Sequence, residues 1–166
     1  MNDNNLQKII VNDIKQIIEQ ARNFAYKSIN FSMIIAYWEI GKTIVEEEQN
    51  GNNRAEYGKS LIKELSKQLT KEYGKGFNIA NLKYMRQFYS LFPISHAVRD
   101  LFGNSLINNA KEHHLHSILR QELSWTHYRL LLKVTDETER KFYMNEAANS
   151  NWSTRHIKIL GKWTDM

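Results

Sequence analysis

The stretch Tyr57–Pro93 decides the fold, and its sequence is YGKSLIKELSKQLTKEYGKGFNIANLKYMRQFYSLFP. Apolar residues recur at helical spacing on both sides of the segment Gly74–Gly76, which predicts two helices joined by a tight turn. Glycine readily adopts the left-handed conformation that ends a helix. Asn78 is a preferred capping residue for the second helix. Phe77 and Leu82 occupy the two positions of a hydrophobic staple around that cap, so we predict a helix-turn-helix-like unit.

Each helix of this unit has an apolar face and a polar face. The predicted buried positions are Leu61, Ile62, Leu65 and Leu69 on the first helix and Leu82, Met85, Tyr89 and Phe92 on the second. Lysines recur every four residues on the opposite side of the first helix and continue into the turn: Lys59, Lys63, Lys67, Lys71 and Lys75. On the second helix, the polar face presents Lys83, Tyr84 and Gln87, with Arg86 at its border. This composition suits a helix that lies against nucleic acid.

The positive charge of the chain is concentrated in the same region. Residues 54–91 contain 8 Lys and Arg against 3 Asp and Glu, a net charge of +5 that equals the net charge of all 166 residues. Such an excess favours phosphate, an acidic protein surface or solubility, and the count alone does not separate these alternatives.

Composition excludes several classes of protein. Cysteine is absent, which excludes disulfides, cysteine-ligated zinc and a cysteine nucleophile, and fits a reducing cytosol. The first ten residues lack the apolar core of a signal peptide, and no apolar run reaches the roughly 18 residues that span a bilayer. We therefore expect a cytoplasmic protein without a membrane partner. One proline, seven glycines and no sustained strand alternation predict an all-α, multi-helix bundle.

Two further parts flank the central unit. Leu6–Ile29 predicts a long amphipathic helix, and Phe31–Glu48 predicts a more buried one, with the break between them left open at Asn30 and Ser32. Gly41 in the second segment predicts a close helix contact. We expect residues 1–92 to form an N-terminal helical part that includes the helix-turn-helix-like unit at 57–92.

The remainder of the chain divides into a weakly patterned segment and a well punctuated one. Residues 93–122 predict a linker or insertion, whose histidines at positions 113, 114 and 116 lack partners at metal-ligand spacing. Residues 123–166 predict a C-terminal three-helix unit of the same module. Its helices begin after Ser124, after Thr135 or Asp136, and after Ser153. We expect this unit to serve packing, with Trp125 and Trp152 as core anchors. The alternative is a second helix-turn-helix whose Arg155 and Lys158 face outward.

No sequence motif for catalysis is present. The chain has no phosphate-binding loop, dinucleotide fingerprint, HExxH or GxSxG. The carboxylates lie in helical contexts, whereas a PD-(D/E)xK nuclease centre presents clustered carboxylates and a lysine at a strand. We expect no catalytic residue, metal or cofactor in this chain.

Several motifs together resemble the N-terminal domain of the YhcG-type family. They are YWEIGK at 37–42, AEYGK at 55–59, LSKQLTKEYGKGF at 65–77, NLKYMRQFY at 81–89, LSWTHYRLLLKV at 123–134, RKFYMNEA at 140–147 and NWSTRHI at 151–157. Full-length members of that family pair this domain with a C-terminal PD-(D/E)xK nuclease domain. The resemblance implies a helical DNA-binding module attached in cis or in trans to a bacterial nuclease, with the catalytic residues in the other domain.

Two hypotheses of function follow. In the first, the chain is a DNA-binding module in which the five lysines of the first helix and turn contact phosphates and Lys83, Tyr84, Arg86 and Gln87 face a groove. In the second, it is an assembly module whose apolar helices from Leu6 to Val45 pair with a second copy as a homodimer, or with a nuclease domain. An enzyme in its own right ranks third.

Overall fold

The computed structural model describes residues 3–50, 54–93 and 119–160. These ranges form six α-helices and one short 3-10 helix at Lys75–Phe77, and contain no strand. The α-helices are α1 (Asp3–Asn50), α2 (Arg54–Tyr73), α3 (Ile79–Leu91), α4 (Trp125–Leu131), α5 (Glu137–Asn149) and α6 (Thr154–Leu160). The prediction of an all-α, multi-helix protein is confirmed.

Helix α1 is a single helix of 48 residues, which settles whether the N-terminal region forms one helix or two. Asn30 and Ser32 do not break it. The Ser32 hydroxyl donates a hydrogen bond to the Ser28 carbonyl four residues earlier (2.9 Å), so this polar residue is accommodated inside the helix.

The two halves of α1 lie in different environments. Residues 7–30 are exposed throughout, whereas Ile34, Ile35, Trp38 and Ile44 are buried in the core. The Trp38 indole N–H donates to the Phe92 carbonyl at the end of α3 (2.8 Å). The second half of α1 therefore forms the centre of the fold, as its higher apolar content predicts.

Gly41 brings α1 into direct contact with the backbone of α3. A Cβ atom added to Gly41 would collide with the carbonyl oxygen of Met85, so no larger residue fits at this crossing. The predicted close helix contact is confirmed.

The turn between α2 and α3 follows the predicted local rules. Gly74 has φ +89°, the left-handed conformation that glycine adopts most easily. Asn78 caps α3 by accepting a hydrogen bond from the backbone N–H of Asn81 (2.9 Å). Phe77 and Leu82 belong to the same apolar cluster, as the staple predicts.

The predicted buried stripe of α3 needs one correction. Leu82, Met85 and Phe92 are buried, but Phe88 is also fully buried and Tyr89 only partly. The centre of the Phe88 ring lies 5.1 Å from the centre of the Tyr128 ring and 5.4 Å from the centre of the Trp125 ring, both on α4. Helix α3 packs against α1 on one side and against α4 on the adjacent side, so its buried face is wider than a single stripe.

The C-terminal helices begin where the caps predict. The Asp136 side chain accepts from the Glu139 N–H at the start of α5 (2.8 Å), so Asp136 rather than Thr135 is the cap. Ser124 precedes α4, and Ser153 precedes α6. All three helices contribute to the apolar core formed with α1 and α3.

Residues 94–118 lie outside the described ranges. They include most of the linker or insertion predicted at residues 93–122, and with it the histidines at positions 113, 114 and 116. Within the described ranges, none of the helices combines the length and the apolar character needed to cross a membrane.

Candidate nucleic-acid interface

A cleft of about 690 Å³ lies between the C-terminal end of α1, the first half of α2 and one side of α3. Its floor is apolar and includes Ile62, which is buried. Its charged lining residues are four cations and one carboxylate: Lys59, Lys63, Lys83, Arg86 and Glu48. The structure thus brings together two lysines predicted to contact phosphate and two residues predicted to face a groove.

Helical spacing explains how two separate elements supply these cations. Lys59 and Lys63 are one turn apart on α2, on either side of the position where Ile62 enters the core. Lys83 and Arg86 are three residues apart on α3 and share a face. Because the apolar residues of both helices pack against α1, their basic faces meet at the same side of the molecule.

Glu48 is the carboxylate of the cleft, and it already has a cationic partner. Its Oε1 lies 2.9 Å from Nη1 of Arg86, and the Glu48 side chain is only 18 % exposed. Gly58 makes room for this carboxylate, since a Cβ atom at that position would lie 2.8 Å from the same oxygen. Arg86, whose side chain remains 42 % exposed, is therefore held in place at the rim of the cleft.

A second contact closes the junction between α1 and α2. The Tyr57 hydroxyl donates to the Glu47 carboxylate (2.8 Å). This hydrogen bond, together with the negative charge of Glu47, raises the pKa of Tyr57 above its usual range. Two consecutive residues of the AEYGK motif thus contact the C-terminal end of α1: Tyr57 binds the Glu47 carboxylate, and Gly58 leaves room for the Glu48 side chain.

The four predicted groove-facing residues of α3 lie on or beside one exposed strip. Lys83 and Gln87 are exposed in the middle of the strip, and Tyr84 and Arg86 flank it as half-buried residues. The Gln87 amide donates to the Leu132 carbonyl after α4 (3.1 Å), which fixes the side chain while leaving it accessible.

Arg129 is a residue of this surface that the sequence pattern did not reveal. Its guanidinium lies 4.6 Å from the centre of the Tyr84 ring, a cation–π geometry that places an additional exposed cation beside α3. Arg129 is 45 residues away in the chain and belongs to another helix. No local signal in the sequence could have predicted this pairing.

The other predicted phosphate contacts lie outside the cleft. Lys67 and Lys71 line a shallow depression with Asn78 and Ala80 at the start of α3, and Lys75 lies in the 3-10 helix between α2 and α3. All three lysines are exposed. The lysine row is therefore continuous along α2, but only its first two members meet the cations of α3.

The chemistry available at this surface is the binding of anions. Lysine and arginine side chains present hydrogen-bond donors and positive charge, which suit phosphate groups. In the part of the chain that the structure describes, no group of three or more His, Asp or Glu side chains could hold a metal ion.

Sequence comparison identifies the family. Residues 13–160 match the DUF1016 N-terminal domain. The chain belongs to this family. A relative in Escherichia coli (strain K12), named "Putative nuclease YhcG", is 34% identical over 156 residues. That alignment covers 87% of this DUF1016 N-terminal domain chain but only 42% of the E. coli protein. No solved structure matches the chain.

Proposed function

We propose that this DUF1016 N-terminal domain is a non-catalytic DNA-binding module that targets an associated PD-(D/E)xK nuclease domain. The observation that carries the proposal is the cleft, in which Lys59 and Lys63 of α2 meet Lys83 and Arg86 of α3. The word nuclease in the name of the E. coli relative supports a role next to nucleic acid.

The charge distribution of the cleft suits a phosphate backbone. Cations from two helices lie around one concave surface, so a single strand of phosphates can contact both. Glu48 neutralises part of Arg86, which leaves the three lysines as the main source of attraction. The exposed strip at Lys83 and Gln87 then lies beside the backbone contacts, where side chains can reach a groove.

The test is fluorescence anisotropy of a labelled duplex at two salt concentrations. The double variant Lys63→Gln with Lys83→Gln removes two cations from the cleft and should weaken binding about tenfold or more. It should also reduce the salt slope by about 1.8, since each phosphate contact contributes about 0.9.

The matched control is Lys133→Gln with Lys158→Gln, which removes the same charge from exposed positions outside the cleft. The control should retain most of the affinity. Equal losses in both double variants would mean that overall charge, rather than the cleft, attracts the duplex.

A second candidate function is assembly. It is favoured by the exposed apolar residues along the first half of α1, which leave a helix face open to a second copy or to a nuclease domain. The two functions use different surfaces of the molecule and are compatible.

A further inference from the structure

The first half of α1 presents an apolar helix face to solvent. In the described part of the chain, residues 7–30 are all exposed, and Ile14, Ile17 and Phe24 are exposed by 51%, 64% and 75%. Helices in proteins take most of their stability from packing an apolar face, and soluble proteins rarely leave large apolar patches in water. We therefore expect this part of the helix to pack against a second surface.

The apolar side chains of this face follow a seven-residue repeat. Members alternate at spacings of four and three residues, in the series Ile10, Ile14, Ile17, Ala21 and Phe24. This spacing is the pattern of a seam between two packed helices. The repeat passes through the exposed Ser28 and reaches the fold at Phe31, which packs against the core, so the same helix face leads from the seam into the body of the protein.

We propose that this seam pairs with the same seam of a second copy of the chain, in antiparallel orientation. Charges on one border of the seam support this choice. Asp13, Gln20 and Lys27 repeat every seven residues along that border. In an antiparallel pair, Asp13 of one copy faces Lys27 of the other, and the two Gln20 side chains face each other at the centre.

Parallel pairing would leave the same charges without partners. In that orientation Asp13, Gln20 and Lys27 face the opposite border of the second helix, which carries the uncharged residues Ile18, Ala25 and Ser32. In the described structure neither Asp13 nor Lys27 forms an ion pair, whereas Arg22 on the outer side pairs with Glu19 (3.1 Å). Charge complementarity therefore selects the antiparallel arrangement.

The open segment is long enough for several successive seam contacts. Residues 7–30 span about 36 Å of helix, which includes the five seam positions from Ile10 to Phe24 and the residues on their two borders. An antiparallel pair also has twofold symmetry, so each contact away from the axis, including the ion pair between Asp13 and Lys27, occurs twice.

Sedimentation of the 166-residue chain tests the pairing. The unaltered chain should be a dimer at micromolar concentration, and Ile17→Asp should weaken the dimer at least tenfold, because it introduces a charge into the seam. Asn12→Asp adds the same charge on the opposite side of the helix and should leave the dimer unchanged. Tryptophan fluorescence, which reports Trp38 and Trp125 in the body, checks that each variant is folded.

Cross-linking tests the orientation. The chain has no cysteine, so a short bis-maleimide reacts only with introduced thiols. A mixture of Asp13→Cys and Lys27→Cys chains should give cross-linked heterodimers. Each variant alone should give few, because identical positions lie about 21 Å apart along the axis.

Three results would overturn the proposal. They are a monomer at all concentrations, an Ile17→Asp variant that associates as well as the Asn12→Asp control, and preferential cross-linking of Asp13→Cys to itself. None of these results depends on DNA binding by the cleft, so the two proposals can fail separately.

Discussion

Gly41 and Met85 show how a single residue sets the distance between two helices. Alanine at position 41 would gain about 1 kcal/mol of helix propensity but would collide with the Met85 carbonyl. Overpacking of this kind costs about 1–3 kcal/mol, and more when backbone atoms must move. We therefore expect Gly41→Ala to lower the free energy of unfolding by about 2 kcal/mol, as measured by urea denaturation.

Gly76 provides the control for this prediction. A Cβ atom at Gly76 meets no atom within 4 Å, so Gly76→Ala should change stability by less than about 0.5 kcal/mol. If Gly41→Ala were as stable as Gly76→Ala, the backbone contact between α1 and α3 would be looser than the structure indicates.

Glu48 allows a test of the cleft in which binding should become tighter. Glu48→Gln keeps the size of the side chain beside Gly58 but removes the negative charge 2.9 Å from Arg86. Arg86 is then available to a phosphate, so duplex affinity should rise several-fold and the salt slope should steepen by about 0.9. Anisotropy titrations measure both, and unchanged binding would indicate that Arg86 does not contact the duplex. Glu46→Gln, which removes a carboxylate that pairs with Lys42 outside the cleft, is the control.

At the scale of elements, the stability of α3 depends on its N-terminal cap, Asn78. Asn78 accepts from the Asn81 N–H (2.9 Å) and donates to the Lys75 carbonyl (3.0 Å), so it fixes both the start of α3 and the turn before it. Asn78→Ala should reduce stability by about 1 kcal/mol, measured by urea denaturation. Asn78→Asp retains the acceptor and should lose less. Equal losses would mean that the donated bond to Lys75 is the more important one.

The same element shows what the sequence could predict and what it could not. The Asn78 cap, the turn at Gly74 and the staple of Phe77 and Leu82 depend on residues close in sequence, and their predictions are confirmed. The burial of Phe88 depends on α4, which lies about forty residues further along the chain, so helical periodicity alone could not predict it.

The candidate site divides in the same way. Local spacing was sufficient to predict that the lysines of α2 and the polar residues of α3 are accessible. Their meeting in one cleft, the ion pair between Glu48 and Arg86, and the position of Arg129 over Tyr84 depend on how the helices pack. The roles of these residues in DNA binding remain predictions.

At the scale of the whole molecule, stability should depend on pH through His127. Its Nδ1 accepts from the Ser124 N–H (3.1 Å) and its Nε2 lies 3.0 Å from the Trp152 carbonyl, so the neutral ring with hydrogen on Nε2 fits both contacts. Burial lowers the pKa of His127, although the bond to the Trp152 carbonyl partly opposes this shift.

The sign of the effect follows from proton binding. The unfolded chain takes up the proton near pH 6.5 and the folded chain only at lower pH, so the unfolded state binds more protons between the two values. Stability should therefore fall as pH decreases from about 7.5 through this window. His127→Gln should flatten the change in urea midpoint, whereas His156→Gln, at an exposed position, should not. An equally steep profile in His127→Gln would assign the dependence to other groups.

Because α1 is a single helix, it fixes the distance between the seam and the cleft. In a dimer paired as proposed, the midpoint of the seam is at Gln20, and the part of α1 that lines the cleft, from Val45 to Gln49, is centred near residue 47. At 1.5 Å per residue, each cleft lies about 40 Å from the midpoint, and the two clefts about 80 Å apart along the axis. That distance corresponds to about 24 base pairs of straight duplex. Duplexes shorter than this would engage one cleft, and longer ones could bridge two.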